Sequence, residues 1–207
     1  MRYFSGSNLA FDHQGDYLAS EGVSTQFSEQ DIHHPELKLS EWGYADDVLL
    51  QEVASYQEPA AKEQVASTSP SVTILQTMTM HTPFKFPGQE AYRQRALKRL
   101  DALGIPASER EAYVHDLDIY ASILFTDDAL RRFFEQMSHT PGWNNTVVLI
   151  TGDHRLPEIP MATRLERYRV PLIVASPLLK GPRQIRAVSS HFDIAPALLA
   201  LLSHQYG

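Results

Sequence analysis

Asp153 and His154 stand directly after the run Thr146-Val147-Val148-Leu149-Ile150-Thr151-Gly152. A carboxylate and an imidazole side by side are a hard oxygen and a nitrogen donor, a pairing that suits Zn²⁺, Mn²⁺ or a similar divalent ion. Gly-Asp is also a common turn pair, and on that account the two residues would shape a turn and hold no metal. A second imidazole, His81, sits in Met80-His81-Thr82-Pro83-Phe84 at the end of another strand-like run, 71–80. Taken alone it reads as a loop histidine with a backbone hydrogen bond. Two strands that each end in a potential ligand say more than one, because chemistry in open α/β sheets collects at the carboxyl ends of parallel strands. The reading therefore expects the tips at 81 and 153–154 to meet around one shared pocket. His33-His34-Pro35 offers adjacent imidazoles, but neighbouring side chains diverge, and this stretch reads as solvated loop.

The elements that must carry these groups follow from apolar patterning. Five of the six residues 146–151 are β-branched and the sixth is leucine, a run of the length of a buried strand and too short for a buried helix. Residues 2–5, 23–27, 71–80 and 170–175 read as further strands, the last with Pro171 marking an early or edge position. Helices are expected at 13–21, 46–57 and 89–103, the last closed by Gly104. A long helix is expected from a Ser108 cap to about Gln136, and a terminal one over 194–202 after Asp193. Asp46 or Asp47 suits the orphan N–H groups at its helix start. Residues 28–43 read as loop and 58–70 as a linker within the domain. Asp116, Asp118, Asp127 and Asp128 are expected to be solvated or paired with Arg131 and Arg132. Short buried strands alternating with helices predict an α/β fold, a largely parallel sheet flanked by helices.

Composition narrows the classes. The 207 residues make one large domain or a domain and a half, and 43% hydrophobic content suffices for a sizeable core. A formal charge of −7 with no block of Lys and Arg argues against a nucleic-acid partner. There is no cysteine, so disulfides, Cys-zinc sites and cysteine nucleophiles within this chain are excluded. No apolar run approaches the ~20 residues that span a bilayer, and the chain reads as soluble.

The segments Met-His-Thr-Pro-Phe, Thr-Gly-Asp-His, Val-Pro-Leu-Ile-Val-Ala-Ser-Pro and Ser-His-Phe-Asp-Ile-Ala-Pro-Ala-Leu-Leu occur here in that order. Together they resemble the C-terminal half of the lipoteichoic acid synthase-like sulfatases, of the alkaline phosphatase superfamily, from about Arg2 to Leu202. The resemblance implies that residues 1–207 are the C-terminal portion of one sulfatase-like catalytic domain, incomplete at its N-terminal side. It implies a divalent metal, Mn²⁺ first with Mg²⁺ or Zn²⁺ as alternatives, held partly by Asp153 and His154. It makes His81 the residue that contacts the substrate phosphate. The family's metal-binding glutamate and nucleophilic threonine lie upstream of the point where this chain begins, so one ligand and the nucleophile are missing. Phe4-Ser5-Gly6 falls where relatives have Phe-His-Gly. A Trp and an Arg that hold substrate in relatives are replaced by Asp12 and Gln14, with His13 between them as a possible contact. Arg155, where many relatives have glycine, could meet an anionic headgroup.

Two classes of function follow. One is a metal-dependent phosphoryl or phosphodiester transferase or hydrolase of the phosphoglycerol or phosphoethanolamine transfer type, inactive as this fragment. Its substrate would be a phospholipid headgroup or another phosphoester. It would work at the extracytoplasmic face of the cell membrane or in the periplasm, with membrane association through the missing N-terminal part. Sulfate ester hydrolysis is a variant of it. The other is a truncated or degenerate, non-catalytic binding or structural module, since two protein ligands fall short of the usual three or four. The oligomeric state is not legible.

Overall fold

A computed structural model describes residues 1–65 and 70–206; the side chains of 57–65 and 204–206 are set aside. Three strands form the central sheet: β1 (Arg2–Ser5), β2 (Thr25–Phe27) and β5 (Thr73–Gln76), in the order β2-β1-β5 and all parallel. Successive side chains of a strand point to opposite faces, and β1 uses both. Phe4 enters a core with Leu49, Leu50 and Val53 of α2 (Asp46–Val65) and with Ala129 and Phe133 of α5 (Leu117–Met137). Tyr3 enters a smaller cluster with Leu9 and Val23, with Leu18 of α1 (Gln14–Ser20) packed against it. Burying a phenylalanine such as Phe4 contributes roughly 1.5–3 kcal/mol, so this two-sided packing anchors the sheet. α3 (Gln89–Leu103) lies against α5, and Phe86, Ala121 and Phe125 fill the space beside it. The sheet is thus parallel with helices on its faces, as expected.

Several boundaries differ from the sequence reading. Residues 28–43 contain two 3-10 turns and the short strand β3 (Lys38–Ser40), which pairs antiparallel with β4 (Gly43–Tyr44). α2 runs to Val65, past the expected linker start at 58, because Ala60, Ala61, Lys62, Glu63 and Gln64 are strong helix formers; residues 66–69 of that linker lie outside the described residues. The expected long helix is two, α4 (Ala107–His115) and α5, broken at Asp116. Ser108 makes no cap, and Pro106 precedes the first turn. Asp118 and Asp128 do not pair along their own helix: Arg93 and Arg95 of α3 reach across to them, and Arg131 pairs with Glu135 instead.

The largest departure concerns β6 (Val148–Thr151) and β7 (Leu172–Ala175). They pair with each other, antiparallel, and with no strand of the central sheet. The strand expected to be buried is half-exposed, and Leu172, Ile173 and Val174 are 44%, 51% and 45% exposed. Among the described residues none after Phe133 is buried, although α6 (Ile194–Tyr206) is rich in leucine and alanine. No helix of the described residues is long and apolar enough to cross a membrane.

Gly43 ties the β3–β4 hairpin to the end of β1. Its φ of +108° is outside the range that side chains tolerate, and an added Cβ would meet the Gly6 carbonyl oxygen at 2.0 Å. Both penalties fall on backbone that cannot yield locally. Gly43→Ala is therefore expected to destabilise the chain by about 2–4 kcal/mol, read as a lower urea midpoint. An unchanged midpoint would show that the hairpin is free to move away from β1.

Candidate functional site

Two separate corners carry the residues singled out by sequence. The first follows β5. Met78 N–H and Thr79 N–H both donate to Oδ1 of Asp46 at 2.7 and 3.0 Å, and the Thr126 hydroxyl donates to Oδ2 at 2.7 Å. Asp46 N–H in turn donates to the Thr79 hydroxyl at 2.9 Å. Asp46 is 1% exposed. One carboxylate thus joins the start of α2, the exit of β5 and the middle of α5, two residues before His81. The sequence placed Asp46 at a helix start but gave no sign of this cross-link, because its partners lie 32 to 80 residues away.

His81 itself is exposed. Its Nδ1–H donates to the Thr82 carbonyl at 2.8 Å, which leaves the lone pair on Nε2. The ring packs on Trp42 with centroids 4.6 Å apart, and Phe11 packs edge-on with Trp42 at 5.5 Å. A shallow pocket opens here, lined among others by Trp42, Met78, Thr79, His81, Pro83 and Lys85. None of its lining residues is acidic.

The second corner follows β6. The His154 amide donates to Asp153 Oδ1 at 2.8 Å, and His154 Nε2 lies 3.6 Å from Asp153 Oδ2. His154 Nδ1–H donates to the Arg155 carbonyl at 2.8 Å, so Nε2 keeps its lone pair toward the carboxylate. Metal-binding histidines characteristically have their second nitrogen tied in this way, and the Asp153–His154 donor set fits a divalent ion as two of its ligands. His191, which the sequence reading passed over, approaches from the turn before α6, but its Nε2–H is spent on the Gly152 carbonyl at 2.8 Å. Among the described residues no group of three or more His, Cys, Asp or Glu is arranged to hold a metal. Arg155 leans on Glu166 at 3.5 Å, and its amide donates to the Arg167 carbonyl at 2.7 Å.

Neither Asp153 nor His154 lines the depression at His81, and β5 and β6 belong to different sheets. The departures at β1 also acquire a physical meaning. Ser5 is fully buried, shares a 2.7 Å hydrogen bond with the Ser7 hydroxyl and accepts from the Ser7 amide. Gln14 donates to the Tyr3 hydroxyl at 2.8 Å and to Gln76 Oε1 at 3.1 Å, and the Tyr3 hydroxyl donates to Gln76 as well. Both side chains are engaged in the fold, at positions where the resemblance implies a His and an Arg. Burial pushes the Tyr3 phenol up, so it stays a neutral donor. His13 is exposed beside Asp16 and borders a different groove, with Asn8 and Gln26.

Asp47, next to the buried Asp46, is held above the usual carboxylate range, first by desolvation and also by the Asp46 charge, against the Val48 amide and Arg132. A carboxyl raised by folding lowers stability above its folded-state value, and the penalty lifts as pH falls through that value toward the unfolded one. Asp47→Asn is therefore expected to stabilise the chain at pH 7 by a few tenths of a kcal/mol, solvent screening keeping it small. The gain should vanish in acid, as measured by urea midpoints at several pH values.

Solved structures share the fold. The chain is similar to a protein in the alkaline phosphatase superfamily from Vibrio parahaemolyticus, with TM-score 0.73 and 18% identity over 98% of this chain and 44% of that one. It is similar also to the lipoteichoic acid synthase LtaP from Listeria monocytogenes, with TM-score 0.72 and 18% identity over 97% and 49%. The chain shares the fold of both and spans less than half the length of either structure. Residues 2–204 match the Sulfatase family, and the chain belongs to it. Among curated proteins none matches the sequence.

Proposed function

We propose that the chain is the C-terminal portion of a metal-dependent phosphoryl or phosphodiester transferase or hydrolase, of the phosphoglycerol or phosphoethanolamine transfer type. The observation that carries the proposal is the strand-exit pair Asp153–His154, with His154 Nδ1 tied to the Arg155 carbonyl and Nε2 facing Asp153 Oδ2 at 3.6 Å, in a chain of the Sulfatase family. Asp153 and His154 would hold the ion, Mn²⁺ first, with Mg²⁺ or Zn²⁺ as alternatives. When bound, such an ion supplies Lewis acidity toward a phosphoryl oxygen. His81 would meet a non-bridging phosphate oxygen or pass a proton to the leaving oxygen through Nε2. Arg155 would add positive charge near an anionic headgroup, softened by Glu166. The setting is extracytoplasmic, and the chain by itself is inactive, because it carries neither the nucleophilic threonine nor the glutamate ligand that the resemblance implies.

A second reading, a non-catalytic binding or structural module, draws on the shortage of ligands among the described residues. Sulfate ester hydrolysis draws on the family alone. Calorimetric titration with Mn²⁺, joined to a bis(p-nitrophenyl) phosphate assay, tests the proposal. Weak Mn²⁺ binding without turnover is the expected result. Turnover by this chain alone would overturn the claim of inactivity, and absence of any Mn²⁺ binding would favour the module.

A further inference from the structure

We propose that the corner formed by residues 164–169, the loop 177–189 and Phe192 docks on an anionic lipid surface. The charge of the chain is unevenly placed. Six of its 18 Lys and Arg but only one of its 25 Asp and Glu fall within 164–186, which puts that stretch at +5 and the rest of the chain at −12. The one acid, Glu166, is taken by Arg155 and by the Ala162 amide. Arg164, Arg167, Arg169, Lys180, Arg183 and Arg186 are all exposed, and among the described residues none of their side chains has an ion pair or a hydrogen bond. By contrast, Lys38, Arg93, Arg95, Arg110 and Arg131 each hold a carboxylate.

Local contacts bring these segments together. The Arg167 carbonyl accepts from the Arg155 amide, Val170 stands against Gly152, and His191 Nε2–H donates to the Gly152 carbonyl. The 164–169 turn and the turn that holds Phe192 therefore meet at the exit of β6. The loop between them leaves from Ser176, whose hydroxyl donates to the Thr146 carbonyl at the far end of β6, and returns to that exit. Large apolar side chains stand exposed among the cations: Leu165 at 77%, Ile185 at 76% and Phe192 at 91%. Cations alone would suit any polyanion. Cations interleaved with exposed aliphatic and aromatic tips suit a bilayer interface, where the tips enter the headgroup layer while Lys and Arg reach phosphate. The acidic remainder of the chain is repelled by the same surface, so the asymmetry turns the exit of β6 toward lipid. β7 carries no charge and lies outside the docking surface.

The test is co-sedimentation of the whole chain with lipid vesicles, in EDTA so that no metal contributes. Pure phosphatidylcholine is compared with an equal mixture of phosphatidylcholine and phosphatidylglycerol. Binding should be confined to the mixture and should fall with added salt. Arg183→Glu with Arg186→Glu should weaken it at least roughly tenfold, since each cation near an anionic membrane is worth a factor of about five. Lys98→Glu with Arg99→Glu makes the same change of net charge at exposed positions of α3, and should leave binding within about twofold. Ile185→Ser should weaken binding several-fold without changing its dependence on salt. All five replaced side chains are exposed, so the circular dichroism of every variant should match the parent. Equal binding to both kinds of vesicle overturns the proposal, as does a loss in the Arg183–Arg186 variant no larger than in the Lys98–Arg99 variant. Tighter binding to a DNA duplex than to the mixed vesicles would make the corner a general polyanion site and overturn it. Self-association that Ile185→Ser abolishes, without vesicle binding, would assign the corner to a second copy and overturn it as well. Failure here leaves the Mn²⁺ titration standing, and failure of Mn²⁺ binding leaves this surface in place.

Discussion

Asp46→Ala is expected to lower stability by about 3–5 kcal/mol. The substitution leaves the Met78 and Thr79 amides and the Thr126 hydroxyl without their acceptor, inside a part of the fold that water does not reach. Each orphaned buried donor costs about 1–3 kcal/mol, and the deleted side chain also leaves a void. Domains of this kind have only about 5–15 kcal/mol in hand, so the variant should be largely unfolded in mild urea. Asp46→Asn is the informative companion. It keeps one carbonyl oxygen for the two amides and sets its NH₂ against Thr126, whose hydroxyl can turn to accept. Its cost should be about 1–2 kcal/mol. Urea midpoints followed by circular dichroism measure both. Equal losses for the two variants would show that charge at Asp46, and not its acceptor geometry, joins β5 to α2 and α5.

Asp153→Ala should weaken Mn²⁺ binding at least about 100-fold, to the limit of detection, since loss of a supporting residue alone commonly costs 10–100-fold. Two ligands make a weak site, and removing the anionic one leaves a lone imidazole. The fold should be untouched, because the Asp153 side chain is 86% exposed and, among the described residues, contacts only its neighbour His154. His154→Ala should match it. Arg155→Ala should leave metal affinity within a few-fold, as Arg155 neighbours the pair through its carbonyl, which any residue supplies. Calorimetric titration of the three variants beside the parent checks the pattern. Affinity unchanged in Asp153→Ala would place the ion elsewhere and remove the basis of the metal assignment.

The sequence displayed the parallel α/β plan because strand and helix signals are local. Arg2–Ser5 and Gln89–Leu103 lie where apolar spacing and Gly104 put them. The break at Asp116 was hidden, since the apolar stripe runs on through Leu117 and Ala121 while the backbone turns at one residue. The β6–β7 pairing was hidden for another reason. Val-Leu-Ile runs specify burial, but not the partner strand, and here the partner is Leu172–Ala175. At the candidate site, His81, Asp153 and His154 stood out by type and position. Trp42 and Asp46 did not, because a tryptophan between two loop residues and an aspartate at a helix start both have ordinary local explanations. Only the fold puts one on His81 and the other under its loop.

The segment from Val148 onward has strands and a helix but no interior of its own. Cooperativity depends on shared buried contacts, so this part should open and close nearly independently of the Phe4–Leu49–Phe133 core. The protein then behaves as two melting units, and one midpoint describes only the first of them. Asp153 and His154 ride on the weaker unit, while His81, Trp42 and Lys85 ride on the sturdier one. Heating would therefore loosen the Asp153–His154 turn before it disturbs the pocket at His81.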